Sequence, residues 1–237
     1  MAGYTDPPRR ALVIVAHPDD IDFGMAGTVA TLTDAGTEVV YCLVTSGEAG
    51  GPDHLERDAL ARQREDEQRK AAAHVGVSEV RFLGYPDGRV ECTLELRRDL
   101  SRVIREVRPD LVLSQSGQRV WDRMYFSHPD HLAVGEAAAC AVYPDARNPH
   151  AHPELLAAGH LPHAVERMWV GGLEPNRYVD ITDAFDRKVA ALRSHESQVS
   201  DRADLESLLR EWAAGNAAEG GFVEGRLAEC FREIDTR

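Results

Sequence analysis

Two short clusters of histidine and aspartate carry the residue types most suited to catalysis. His17-Pro-Asp-Asp20 directly follows an apolar run, and His128-Pro-Asp-His131 leads into a helical segment. Two imidazoles and one carboxylate around an open fourth position form the pattern of a hydrolytic zinc site. A metal ion held this way acidifies a bound water and polarises a carbonyl group. The clusters therefore predict a metal-dependent hydrolase, with His17, Asp20 and His131 as the ligand set.

The remaining members of the two clusters are candidates for acid–base and electrostatic roles. Asp19, beside the ligand Asp20, is left to act as the general base, although an aspartate at this place could instead cap the following helix. His128 is left to face the oxyanion that develops during attack on a carbonyl. Asp130 is expected to orient His128 and to stabilise its cationic form.

Other polar residues follow the second and third predicted strands or lie on a predicted helix. Glu48 and Asp87 come where these strands end, and ligands bind outside the carboxyl ends of parallel strands. Each also has a plain explanation, since Glu48 could be a solvated loop residue and Asp87 belongs to a Pro-Asp-Gly turn. Arg64 lies on a charged helix face, where solvation and i,i+4 pairing are the usual reasons for charge.

A parallel sheet is needed to bring these separated clusters together. Short apolar runs predict buried strands, and longer polar-apolar stretches between them predict helices. This alternation implies right-handed βαβ crossovers, so we predict an α/β fold, a Rossmann-like three-layer α/β/α domain with a mostly parallel sheet. The predicted strands are Ala11–Ala16, Glu38–Thr45, Val80–Leu83, Leu111–Ser114, Met168–Val170 and Tyr178–Ile181, and the predicted helices are Gly24–Ala35, 57–75, Leu94–Val107 and His131–Tyr143.

The whole chain, 1–237, is predicted to form one domain. Residues 1–10 are expected to be a flexible N-terminus, and the His- and Pro-rich segment 145–164 is expected to be an exposed lid loop. Residues 183–237 are predicted to form helices that break around 215–221. No GxGxxG motif follows the first strand, which disfavours a nucleotide-binding Rossmann domain.

Charge and composition exclude several classes of protein. The chain has 27 Lys and Arg against 40 Asp and Glu, a formal charge of −13, which disfavours nucleic acid and anionic membranes as partners. No apolar run approaches the ~18 residues of a membrane span, and no signal-peptide core is present. Four cysteines without a CxxC pair disfavour a disulfide scaffold. We expect a cytoplasmic enzyme with a small-molecule substrate, and the oligomeric state, including a homo-oligomer, is open.

Several motifs resemble those of the PIG-L/LmbE family of zinc-dependent N-deacetylases. Members of this family remove acyl groups, mostly acetyl, from amino sugars and related small molecules. The motifs that carry the resemblance are Ala16-His-Pro-Asp-Asp20, Phe23-Gly-x-x-Gly-Thr28, His128-Pro-Asp-His131, Thr45–Gly50, Arg64-x-x-Glu67, Leu83–Gly88, Asp145–Asn148, Val179–Thr182, His195-x-Ser-Gln198 and Ala228–Phe231.

The resemblance implies roles for residues in these motifs. It implies zinc as the metal, with Fe(II) an alternative for a ligand set of two His and one Asp. Its implied ligands are His17, Asp20 and His131, with Asp19 as base and His128 at the oxyanion, held by Asp130. Its candidate substrate-binding residues are Arg64, Asp87 and Arg147, to which the loop residue Glu48 is added. Some relatives place a tyrosine two residues before the second cluster, where this chain has Phe126, which cannot donate a hydrogen bond.

Three functions follow from this pattern. The first is hydrolysis of an N-acetyl group on a small amino-sugar-containing molecule. The second is the same chemistry on another substrate, as an amidase on a thiol–sugar conjugate or a tailoring deacetylase of natural-product biosynthesis. The third is an inactive metal- or sugar-binding module, which the presence of Asp19 and the complete ligand set argues against.

Overall fold

The computed structural model describes residues 7–51 and 56–237, and within them every side chain except those of residues 123, 125 and 126. In these residues seven strands form one mixed sheet in the order β3-β2-β1-β4-β5-β7-β6. Neighbours among β1 to β5 are parallel, whereas β7 is antiparallel to both β5 and β6. The strands are β1 (Arg10–Val15), β2 (Glu38–Leu43), β3 (Glu79–Phe82), β4 (Leu111–Ser114), β5 (Arg167–Val170), β6 (Arg177–Asp180) and β7 (Ala228–Asp235).

Helices cover both faces of this sheet and create two hydrophobic cores. Alternate residues of β1 point to opposite faces, so Val13 packs in one core and Leu12 in the other. The predicted three-layer α/β/α architecture is therefore confirmed. The helices are α1 (Asp20–Gly24), α2 (Ala26–Asp34), α3 (Arg57–His74), α4 (Leu94–Val107), α5 (Pro129–Cys140), α6 (Pro153–Ala157), α7 (Phe185–Arg193), α8 (Glu196–Val199) and α9 (Leu205–Glu219). Of the helices in the described ranges, none combines the length and the apolarity that crossing a bilayer requires.

The C-terminal region differs from the prediction that it contains helices only. Residues 228–235 form β7, which lies between β5 and β6, and α9 continues through Gly215 to Glu219. Only the first half of β7 is buried, with Ala228 and Phe231 in the core, while charged residues fill most of the remaining positions. This mixture lacks the continuous apolar run that marks a strand buried on both faces, which is why the sequence pattern did not predict it.

The predicted helix Gly24–Ala35 is in fact two helices, separated at Met25. Lys188 donates to two main-chain carbonyls of α1, at 2.7 and 3.1 Å. Glu229 accepts two main-chain N–H groups in the first turn of α2, at 2.7 and 3.1 Å, and its carboxylate lies 2.6 Å from the Lys188 ammonium. A buried ion pair from distant parts of the chain therefore satisfies both helix ends and stabilises the break.

Replacing Lys188 with methionine is expected to lower the free energy of unfolding by about 3–5 kcal/mol, because it leaves the buried Glu229 carboxylate without its counter-charge. Lys188 and Glu229 are 3% and 4% exposed. Arg193→Met on the same helix is the control: its ion pair with Glu206 is exposed, and less than about 1 kcal/mol is expected. Urea denaturation measures both values. Equal, small losses in the two variants would contradict the assignment.

The sheet has a topological switch point between β1 and β4. The chain runs from β1 outward through β2 to β3, and then returns to place β4 on the other side of β1. In open α/β sheets, ligands bind outside the carboxyl ends of the strands at such a point. The two His-Asp clusters follow β1 and β4, so this topology brings them to one edge.

The segment 145–164 lies at the opposite edge of the sheet, not over the predicted site. The buried Arg105 guanidinium on α4 donates to four main-chain carbonyls of this segment, at 2.9 to 3.4 Å. Nε2 of His163 lies 2.8 Å from the carbonyl oxygen of Pro109, just before β4 begins. Several of its side chains are buried, including His152. The expected exposed lid is therefore a segment pinned at the amino edge.

Candidate active site

The three predicted metal ligands converge at the carboxyl edge of the sheet. Nδ1 of His17 lies 3.2 Å from Nε2 of His131, and the latter lies 3.0 Å from Oδ1 of Asp20. Nδ1 of His17 and Oδ2 of Asp20 are 3.5 Å apart. Ligand atoms of a tetrahedral zinc ion, each about 2.0–2.1 Å from the metal, are about 3.3 Å from one another. The spacing and the donor atoms therefore fit a divalent metal ion.

The other nitrogen of the His17 ring is held by carboxylates. Its Nε2 lies 3.0 Å from Oδ1 of Asp87 and 3.2 Å from Oδ2 of Asp130. The Asp130 carboxylate also accepts main-chain N–H groups of Gly88, at 2.7 Å, and Val90, at 3.2 Å. A carboxylate on the distal nitrogen of a metal-binding histidine fixes the ring and raises its basicity. This arrangement leaves Nδ1 of His17 directed toward the other two predicted ligands, Asp20 and His131.

Carboxylates around the ligand set dominate its electrostatics. Burial alone would lower the pKa of His17, but Asp130, Asp20 and Asp87 raise it to about 12. Burial would raise the pKa of Asp20, yet His131 and His17 hold it well below its usual range. The imidazolium of His17 thus offsets the negative charge of these carboxylates. A divalent cation bound between the side chains would offset it in place of the imidazolium.

His128 lies beside the ligand set, with its ring centroid 4.9 Å from that of His17. Its Nδ1 accepts the main-chain N–H of Asp130 at 3.2 Å, so in the neutral ring the proton is on Nε2. Burial, together with the charges of His17 and His131, lowers the pKa of His128. The expectation that the Asp130 carboxylate orients His128 is therefore corrected, because this carboxylate binds His17 and the Asp130 group that contacts His128 is the main-chain N–H. The charge of Asp130 does raise the pKa of His128, as expected, but burial outweighs it.

Asp19 precedes α1 in a left-handed backbone conformation, with φ 86° and ψ −26°. This conformation costs a non-glycine residue about 1–2 kcal/mol. The Asp19 side chain makes no capping hydrogen bond to α1, and its Oδ2 lies 3.4 Å from Nη2 of Arg64. Burial raises the pKa of Asp19 to about 6, against the opposing effect of Arg64. A carboxyl group with a pKa in this range can both accept and return a proton near neutral pH.

Three of the four predicted substrate-binding residues lie at this edge, where they bind the loops of the site. Arg64 is 4% exposed and donates to the carbonyl oxygens of Gly47, at 2.7 Å, and Pro18, at 2.8 Å. Glu48 accepts the main-chain N–H of Asp87 at 2.8 Å, and Asp87 accepts the N–H that follows Glu48, also at 2.8 Å. These contacts join the loops after β2 and β3 to the loop after β1.

The structure does not bring Arg147, the fourth of them, to the site. Its guanidinium donates to the carbonyl oxygens of Val165, at 3.2 Å, and Thr236, and it stacks over the ring of Tyr143. These partners lie at the amino edge because segment 145–164 leads back to the start of β5. The side chain of Phe126 lies outside the part of the chain that the structure describes.

Three fully buried polar residues behind Asp19 had no predicted role: Asp22, Gln68 and His195. Oδ2 of Asp22 accepts hydrogen bonds from Nε2 of Gln68, at 2.9 Å, and from Nε2 of His195, at 2.8 Å. The sequence held two signals for them. Gln68 follows Arg64 by one helical turn, and His195 begins the motif His195-x-Ser-Gln198.

Comparisons with known proteins agree with one another. A sequence profile of PIG-L, described as GlcNAc-PI de-N-acetylase, matches residues 12–142. Diacetylchitobiose deacetylase of Thermococcus kodakarensis is 36% identical over 229 residues, covering 95% of this chain and 83% of its own. "Probable N-acetyl-alpha-D-glucosaminyl L-malate deacetylase 2" of Bacillus anthracis is 30% identical over 215 residues, covering 87% of this chain and 88% of its own. The structure of N,N'-diacetylchitobiose deacetylase from Pyrococcus horikoshii, complexed with its inhibitor MPG, matches with a TM-score of 0.89 at 30% identity, covering 99% of this chain and 88% of that one.

Proposed function

This chain belongs to the PIG-L family of GlcNAc-PI de-N-acetylases, and we propose that it is a metal-dependent hydrolase that removes the N-acetyl group from a small amino-sugar-containing molecule. The relatives compared above are named for diacetylchitobiose and N-acetylglucosaminyl malate, which share an N-acetylated sugar. The observation that carries the proposal is the convergence of His17, Asp20 and His131, with Asp19 beside them.

Zinc is the metal that we propose for this ligand set, and Fe(II) is the alternative. When bound by His17, Asp20 and His131, the metal ion supplies acidification of water and polarisation of the acetyl carbonyl. Asp130 and Asp87 hold the distal nitrogen of His17. They therefore support the ligand set and do not act on the reacting atoms.

Two residues beside the ligand set have separate roles: Asp19 makes both proton transfers, and His128 stabilises the negative charge that develops on the carbonyl oxygen. Asp19 takes a proton from the attacking water as the new C–O bond forms at the acetyl carbon. His128 donates its Nε2–H to the developing oxyanion and, because its Nδ1 accepts a main-chain hydrogen bond, it keeps that proton. Asp19 then passes its proton to the leaving nitrogen as the C–N bond breaks. Acetate and a free amine are the products.

A panel of acetylated compounds tests this function directly. Metal-replete protein is incubated with N-acetylglucosamine, N,N'-diacetylchitobiose, an N-acetylglucosaminyl glycoside that bears a carboxylate, and N-acetylalanine, and released acetate is measured. We expect acetate from one or more of the sugars and none from N-acetylalanine. An amide-linked cysteinyl glucosamine tests the thiol–sugar alternative by release of cysteine. Sugar binding without turnover would contradict the proposal and favour a binding module.

A His128→Ala variant is expected to lose roughly 10²- to 10³-fold in kcat, because it removes the Nε2–H that we assign to the oxyanion. Its metal content is expected to remain that of the unaltered protein. His163→Ala is the control, since His163 lies at the amino edge against Pro109, and its kcat should not change. Steady-state kinetics and metal analysis measure both effects. Loss of metal in His128→Ala would instead make His128 a ligand.

A further inference from the structure

The peptide group between Pro18 and Asp19 is held at both ends by side chains of α3. Its carbonyl oxygen accepts a hydrogen bond from Nη2 of Arg64 at 2.8 Å, and its N–H donates to Oε1 of Gln68 at 3.0 Å. Arg64 and Gln68 are four residues apart, so their side chains leave the same face of the helix. One helix face therefore fixes the orientation of this peptide group. We call its two hydrogen bonds, with Arg64 and with Gln68, the Pro18–Asp19 clamp.

Asp19 needs this support because its backbone lies in the left-handed region, at φ 86°. A residue other than glycine stays in that region only where its surroundings over-determine the conformation. The backbone conformation of Asp19 sets the direction in which its carboxylate leaves the main chain. Weakening the Pro18–Asp19 clamp would let the backbone relax and would carry the carboxylate away from its position.

The orientation of the Gln68 amide is itself determined by its neighbours. A glutamine side chain can present either its oxygen or its NH₂ group to a partner. The Asp22 carboxylate accepts Nε2–H of Gln68 at 2.9 Å, and this turns Oε1 of Gln68 toward the N–H of Asp19. Nε2 of His195 donates to the same Asp22 oxygen at 2.8 Å. Asp22, Gln68 and His195 are all 0% exposed, so bulk water is not in contact with these groups.

We propose that Gln68 is a positioning residue for the general base: held by Asp22 and His195, it keeps the Asp19 carboxylate in place for proton transfer. This inference rests on the proposed function, because Gln68 is assigned a role only through Asp19. The side-chain hydrogen bonds of Gln68 go to Asp19 and Asp22, not to the ligand set. Its removal should therefore change kcat and leave KM and metal content nearly unchanged.

The first test compares two glutamine-to-methionine changes on α3. Gln68→Met removes both hydrogen bonds at similar volume and is expected to lower kcat for acetate release by roughly 10- to 100-fold, the size of effect that a small misplacement of a catalytic group produces. Gln63→Met is the matched control, since Gln63 is exposed on the same helix, and its kcat should equal that of the unaltered protein. A Gln68→Met variant with unaltered kcat would overturn the proposal.

A double-mutant cycle separates positioning from a general structural role. If Gln68 acts through Asp19, Gln68→Met lowers kcat in the unaltered protein but has less than about a twofold effect in an Asp19→Asn background. The same fold-loss in both backgrounds would overturn the inference and leave the proposed function intact. Gln68→Leu also removes both hydrogen bonds, and it serves in the cycle if the methionine variant folds poorly. Unaltered protein that releases no acetate would overturn the proposed function and this inference together.

Discussion

An Asp19→Asn variant is expected to lose roughly 10²- to 10⁴-fold in kcat for acetate release while it folds and binds metal like the unaltered protein. Asparagine has the size of aspartate, but its amide cannot take a proton from the attacking water. The raised pKa of Asp19, about 6 through burial, suits a group that accepts a proton and then returns it to the leaving amine. Both halves of the reaction would therefore be lost in one substitution.

Acetate release, metal content and thermal unfolding on the same preparations check this expectation. Asp183→Asn is the control, because Asp183 is an exposed aspartate far along the chain from both clusters. A variant that keeps full kcat would show that Asp19 is not the base. A loss of activity that follows a loss of metal would instead place Asp19 among the ligands.

A His131→Ala variant is expected to lose its metal on dialysis and to lose more than about 10³-fold in kcat/KM. His131 contributes the nitrogen that lies near both other ligand atoms, at 3.2 Å from His17 and 3.0 Å from Asp20. Without it, one nitrogen and one carboxylate remain, which is fewer than the three protein ligands of a catalytic zinc site. Chelation of the unaltered protein should reproduce the loss, and adding zinc or Fe(II) should restore activity.

Elemental analysis and kinetics measure this effect, and thermal unfolding adds a second readout. Metal that binds only the folded state stabilises it, so the unaltered protein should unfold at a lower temperature after chelation, whereas His131→Ala should not respond. His150→Ala is the control for removing an imidazole, because His150 is exposed in segment 145–164. His131→Ala protein that retains one equivalent of metal and normal activity would contradict the ligand set.

The part of the fold that could be predicted is the part marked by local pattern. Runs such as Ala11–Ala16 are apolar throughout because β1 is buried on both faces, and the alternation with helices indicates parallel order. The break at Met25 could not be predicted, since it is stabilised by Lys188 and Glu229, which come from far along the chain. The strand β7 carries charged residues that mask its pairing.

In the candidate site, too, local sequence motifs could be predicted, and contacts that depend on the folded chain could not. The predicted ligand set lies within two short motifs, and a parallel sheet brings motifs that follow its strands to one edge. Contacts between neighbours in sequence were less predictable: Asp130 is two residues from His128, yet the start of α5 turns its carboxylate toward His17. Arg147 could be placed only by tracing a long connection, because nothing in its local sequence indicates which edge of the sheet that connection follows.

Because Arg105 holds segment 145–164 at the amino edge, this segment is a suitable site for attaching the protein to a solid support. The six residues of β1 separate the two edges of the sheet by about 20 Å. A tether joined at His150, which is exposed on that segment, would hold the molecule at the amino edge. The candidate active site at the carboxyl edge would then face the solvent. Immobilisation chemistry aimed at this segment would therefore orient the molecules, whereas coupling through the loop after β4, which leads to His128, would place the support at the carboxyl edge.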